Sequence, residues 1–174
     1  MIIYKLYVVI NLPNKLLEAI IMNRITVGDY APDFVLKDNR GEEIRLSDYK
    51  GKKVLLSWHP LAWTRVCAEQ MKALEANLAE FEKHNVVPLG LSIDSYPCKN
   101  AWAKELGIAQ VKLLADFWPH GEIAGKYGLF RTPEGFSERA NVLVGEDGKV
   151  LWVKTYDIPE LPDIAEVFNQ IKNR

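Results

Sequence analysis

The chain is 174 residues long, 48% hydrophobic and 26% charged, with a formal net charge of −1. That length suits one ordinary domain with a real hydrophobic core, and that mixture excludes an intrinsically disordered chain. The near-zero charge gives no basis for nucleic acid or an anionic membrane surface as partner. No apolar run approaches the roughly 18 residues of a membrane span.

The first 22 residues, MIIYKLYVVINLPNKLLEAIIM, stand apart from the rest. Their apolar centre is broken at Asn11-Leu12-Pro13 and no small-residue cleavage site follows, so a signal peptide is not the expected reading. Residues 1–22 read as an N-terminal extension, poorly ordered or used for docking, with Met22 as an alternative start. Residues 23–174 then form a single domain.

Beyond Met22 the elements follow one another cleanly. Phe34–Lys37 and Glu43–Leu46 flank Asp38-Asn39-Arg40-Gly41 and predict a β-hairpin. Val54–Trp58 is a continuous apolar run, the pattern of a central strand buried on both faces. From Cys67 to Lys83 the period changes: Met71, Leu74, Leu78 and Phe81 recur at helical spacing, with charged residues on the other side. Val86–Ile93 predicts a second buried strand, Lys99–Leu106 a helix closed by Gly107, Val111–Ala115 a strand, and Glu122–Lys126 a short helix. Asn141–Val144 and Val150–Thr155 flank Asp147-Gly148, a strong hairpin signal. A final helix lies near Leu161–Lys172.

Strands alternating with helices require parallel pairing through right-handed crossovers, and hairpins add antiparallel neighbours. The expected fold class is α/β: a mixed central sheet with helices on both faces and an N-terminal β-hairpin. In such sheets a site forms at the carboxyl ends of central strands. The Val54–Trp58 strand ends at His59-Pro60, seven residues before Cys67.

Cys67 and Cys98 are the only cysteines. Two thiols make no secreted disulfide framework, so a reducing, cytoplasmic setting is expected. His59, His84 and His120 are scattered without ligand spacing, and neither a metal nor any other cofactor is called for. Cys67 falls in the predicted first turn of a helix, where unpaired N–H groups and the macrodipole favour a thiolate. Thr64 precedes it by three residues, and Pro60 shapes the approaching loop.

Pro60, Thr64 and Cys67, in the spacing P-x-x-x-T-x-x-C between a buried strand and a long helix, resemble the active-site signature of the peroxiredoxins. These are the alkyl hydroperoxide reductase C and thiol-specific antioxidant family, of the thioredoxin-like superfamily. Gly28–Phe34 resembles the family's opening, Ser92–Ser95 its next strand end, and Arg139–Val144 the strand that carries a second-motif arginine. The resemblance spans about Val27 to Lys172. It implies a thioredoxin-like fold and a thiol peroxidase in which Cys67 is oxidised by a hydroperoxide to a sulfenic acid. Thr64 and Arg139 would hold the peroxide oxygens, Pro60 would shield the sulfur, and a thioredoxin-like or other thiol would be the reductant. A homodimer is a further expectation, with an exposed subset of Trp58, Trp63, Trp102, Trp118 and Trp152 marking its interface.

The chain departs from the family pattern at three positions. His59 replaces an aromatic residue, Arg65 an apolar one, and Gln70 a glutamate. His59 and Arg65 read as partly solvated loop residues, or as added positive potential near the thiol. Cys98, 31 residues beyond Cys67, has two readings: a resolving thiol, or a packing residue on the helix face shared with Trp102 and Leu106. Two alternatives stand beside the peroxidase. One is a redox sensor that uses Cys67 oxidation as a switch. The other is a thiol–disulfide oxidoreductase, disfavoured because Gln70 stands where a C-x-x-C motif needs its second cysteine.

Overall fold

The computed structural model describes residues 24–174. The extension read over 1–22 lies outside the described residues. Seven strands form one mixed sheet in the order β2-β1-β5-β4-β3-β8-β9. Its centre is the parallel set β3 (Lys53–Trp58), β4 (Val86–Ser92) and β5 (Lys112–Ala115). The hairpin β1 (Val35–Lys37) and β2 (Glu43–Arg45) extends one side antiparallel. The hairpin β8 (Arg139–Val144) and β9 (Val150–Tyr156) extends the other. A separate small hairpin, β6 (Phe130–Arg131) with β7 (Phe136–Ser137), was not read from the sequence because two-residue strands carry no periodicity.

Side chains alternate across the pleat. Val54, Leu56 and Trp58 of β3, with Ala140, Val142 and Val144 of β8, enter one core, covered by α4 (Glu122–Lys126) and the N-terminal hairpin. Leu55 and Leu143 enter the other. That second core is covered by four helices: α1 (Arg65–Ala76), α2 (Leu78–Lys83), α3 (Tyr96–Leu106) and α5 (Ile164–Lys172). In β9 the register shifts, so that Leu143 pairs with Trp152 but Val144 with Val150. The spare residue, Leu151, is a bulge that turns Val150 toward the first core and Trp152 toward the second.

The helix expected over Cys67–Lys83 is two helices that meet at Asn77 (φ −112°, ψ 14°). The Asn77 side-chain amide donates to the Ala73 carbonyl at 2.8 Å, the local competition that makes asparagine a helix breaker. The first helix begins at Arg65, two residues earlier than the apolar period indicated. Its buried stripe is Cys67, Gln70, Met71 and Leu74. The spacing that seats the helix on the sheet therefore also carries the thiol and the amide inward.

Met71 lies directly over Gly90 of β4. A Cβ at Gly90 would overlap the Met71 sulfur and stand 2.9 Å from Leu113 Cδ2, and both neighbours are fully buried. Gly90→Ala gains about 0.4–1 kcal/mol from a less flexible unfolded chain. Overpacking costs about 1–3 kcal/mol, and both side chains that would have to give are fully buried. A net loss of about 1–2 kcal/mol is expected, read as a lower urea midpoint at unchanged m.

Candidate active site

The loop from β3 to α1 delivers the site. Ser137 Oγ donates to the His59 carbonyl at 3.3 Å, and the Ala62 N–H donates to Asp94 Oδ2 at 2.8 Å. Trp63 takes a left-handed conformation (φ +66°), which is uncommon and costly for a bulky residue, and it redirects the chain into the helix. Thr64 is the N-cap in extended geometry, but its hydroxyl donates to the Leu61 carbonyl at 2.9 Å rather than capping the helix. The N–H groups of the first turn thus remain available at the mouth of a cleft.

That cleft, about 310 Å³, is lined by Pro60, Thr64, Cys67 and Arg139, with Val66, Phe136, Ile158 and Pro159 as apolar walls. Cys67 is fully buried at its floor. Arg139, at the start of β8 and 2% exposed, donates from Nη2 to Cys67 Sγ at 3.5 Å. Its Nε and Nη2 also donate to the Ile158 carbonyl, at 3.0 and 2.8 Å. Its Nη1 donates to Gln70 Oε1. The planar guanidinium is locked by three partners, so its orientation at the sulfur is set before any substrate arrives.

Gln70 is the residue whose role was not read from the sequence. Its Nε2 donates to Ser57 Oγ at 2.8 Å and to the Trp58 carbonyl at 3.1 Å, while Oε1 accepts from Arg139. Only a neutral amide can donate and accept in this way. A carboxylate here would face the Trp58 carbonyl and would neutralise the arginine. The substitution therefore leaves the guanidinium charge directed at the sulfur. The signal in the sequence was its place on the buried stripe, three residues after Cys67.

His59 corrects an expectation. It is fully buried, its ring 5.3 Å from that of Trp102. Burial, then the neighbouring charges of Lys99 and Arg139, hold its pKa well below the usual histidine value. A neutral imidazole adds no positive potential to the site. Arg65 is exposed. Cys98 lies outside the cleft, half-buried against the same core as Cys67, and its sulfur is 4.0 Å from Asp94 Oδ1.

Residues 27–153 match the model of the AhpC/TSA family. The chain is 34% identical over 140 residues to alkyl hydroperoxide reductase E of Mycobacterium tuberculosis, covering 80% of this chain and 91% of that protein. It is 35% identical over 156 residues to peroxiredoxin-1 of Gekko japonicus, covering 84% and 77%. Among solved structures it resembles the reduced 2-Cys peroxiredoxin of Plasmodium vivax, with a TM-score of 0.77 at 30% identity over 84% of this chain and 80% of that one. The fold is thus the thioredoxin-like one. A buried thiol under a fixed guanidinium, on that fold and in that sequence family, makes this chain a peroxiredoxin of the AhpC/TSA family and a thiol-dependent peroxidase.

Proposed function

We propose that Cys67 is the thiol that the peroxide oxidises, and that Thr64, Arg139 and Pro60 build its substrate site. The observation that carries this is the Arg139 Nη2–Cys67 Sγ contact at 3.5 Å on the floor of a cleft open to small molecules. The Cys67 thiolate attacks the terminal oxygen of a hydroperoxide. The S–O bond forms as the O–O bond breaks, and the departing oxygen takes the substrate's proton to leave as an alcohol or water. Arg139 and the first-turn N–H groups supply donors where negative charge develops. The Thr64 oxygen, its own proton held by Leu61, accepts the hydroperoxide O–H. Pro60, without an N–H, keeps that edge of the cleft apolar.

The substrates are hydrogen peroxide and alkyl hydroperoxides, and a thioredoxin-like or other thiol returns the enzyme to its reduced form. Oxidised Cys67 is resolved by Cys98 of the same chain or by an external thiol. The apolar patch of Trp118 (81% exposed), Phe117 and Tyr96 supports a homodimer. Among the described residues no helix is long and apolar enough to cross a membrane, and a cytoplasmic setting fits the sparse cysteines.

Mass spectrometry of the intact chain after one equivalent of peroxide tests the pair of cysteines. A parent that loses two hydrogens, with Cys98→Ser gaining one oxygen at Cys67 instead, assigns resolution to Cys98. A parent that gains one oxygen is a one-cysteine peroxidase, and oxygen placed elsewhere than Cys67 overturns the assignment.

A further inference from the structure

The peroxide cleft carries a second cation at its mouth. Arg65, the first residue of α1, is exposed and lines the same cleft as Cys67 and Arg139. Among the described residues its guanidinium has neither a hydrogen-bond acceptor nor an ion-pair partner. Glu69, the carboxylate spaced one turn along for it, pairs with Lys72 at 3.4 Å instead. No aspartate or glutamate lines the cleft, and the walls between its two arginines are apolar: Leu61, Val66, Phe136, Ile158 and Pro159.

The place of Arg65 also runs against the helix. The first turn is the positive end of the helix dipole, where a carboxylate is favoured and a cation is not. That turn of α1 holds no acidic residue, and Arg65 stands where the family pattern has an apolar one. A residue that breaks a local rule with no compensating contact points to function. The sulfur already has its cation, since Arg139 is buried and donates to Cys67 Sγ at 3.5 Å. Arg65 stands instead at the rim, where a substrate enters.

We propose that Arg65 selects anionic organic hydroperoxides by binding the carboxylate of an aliphatic substrate whose hydroperoxide end lies at Cys67. This rests on the reading of Cys67, Arg139 and Thr64 as the peroxide site. The hydroperoxide meets Cys67 and Arg139, the carbon chain lies along Val66, Phe136 and Ile158, and the carboxylate stays at the rim. A guanidinium offers two parallel N–H donors that match the two oxygens of a carboxylate. Arg65 thereby gains the counterion it lacks among the described residues. The apolar walls gain a cover that hydrogen peroxide cannot supply. A cleft of about 310 Å³ exceeds what hydrogen peroxide fills and leaves room for such a chain. Two cations and no carboxylate in its lining also draw anions toward it from a distance.

ω-Hydroperoxyoctanoate and its methyl ester share the peroxide and the carbon chain and differ in charge. Steady-state kcat/KM for both, on the full chain with a small-molecule dithiol, gives an acid-to-ester ratio. In the parent that ratio is expected to exceed one, and to shrink at ~1 M salt, where charges are screened beyond about 3 Å. Arg65→Gln should lower it about 2–5-fold, the scale of one partly exposed ion pair. Arg65→Glu should lower it by at least about 5-fold as attraction turns to repulsion, and Arg65→Lys should keep part of it. The ratio cancels any general loss of activity. An arginine that only activated the thiol would lower acid, ester and hydrogen peroxide rates together and leave the ratio unmoved. That result overturns the proposal, as does a parental ratio at or below one. Arg65→Glu should melt at or above the parent, because an acidic residue suits that turn. A lower melt would give Arg65 a place in the fold and overturn its assignment to substrate. A parent in which hydrogen peroxide leaves Cys67 unoxidised overturns the underlying site, whereas normal hydrogen peroxide turnover with an unmoved ratio overturns this inference alone.

Discussion

Cys67→Ser is expected to abolish peroxide consumption, by on the order of 10⁴-fold or more, with a small-molecule dithiol as reductant. No other thiol lines the cleft, and Cys98 sits outside it. A serine hydroxyl is un-ionised at neutral pH and cannot replace the thiolate. The fold should survive, because the hydroxyl can accept the Arg139 N–H that the sulfur now accepts. An unfolding free energy from urea titration within about 1 kcal/mol of the parent would show that chemistry rather than folding was lost. Turnover retained in Cys67→Ser would overturn the site.

Arg139→Leu should lower kcat/KM by about 10²–10³-fold, the usual cost of removing one preorganised donor from developing negative charge. It should also destabilise the chain, since Gln70 Oε1 and the Ile158 carbonyl lose their donor in a buried setting. Each such orphan costs about 1–3 kcal/mol, partly offset because a buried cation is removed as well. Arg139→Lys separates the two effects. It keeps the charge, but a single ammonium cannot serve the sulfur, the amide and the carbonyl in one plane. Steady-state rates against peroxide concentration, with thermal melts of both variants, check this. Arg139→Lys is expected to fall between the parent and Arg139→Leu in rate, and parental rates in both variants would remove Arg139 from the mechanism.

Much of this architecture was legible in the residues. The apolar run Val54–Trp58 and the i, i+3, i+4 stripe of the first helix each bury a surface with one period, so the pattern names the element. Asp147-Gly148 marked the last hairpin because Gly148 supplies the positive φ (+84°) that its turn requires. The end of the first helix was hidden, because Asn77 competes with the backbone only through its own side chain. The small Phe130–Ser137 hairpin was hidden by its length. In the site, Pro60, Thr64, Cys67 and Arg139 were named beforehand, and the cleft brings them together. Gln70 and His59 were misjudged or passed over for one shared reason. Amide and imidazole groups read as surface chemistry in one dimension, and only the stacking of three elements against one sheet face buries them.

The strand register at the site has an evolutionary corollary. Arg139, Asn141 and Leu143 reach the helix-covered side of β8 in phase with Ser57 and Leu55 of β3, through the pairs Ser57 with Asn141 and Leu55 with Leu143. One residue inserted or deleted between Arg139 and Leu143 would invert that phase and send the guanidinium into the opposite core, against Trp58 and Tyr127. The neighbouring strand has already used its one tolerated phase change, at Leu151. Length variation in descendants of this chain should therefore collect in the turn at Glu146–Lys149 and leave β8 untouched, a constraint on gene length rather than on any single side chain.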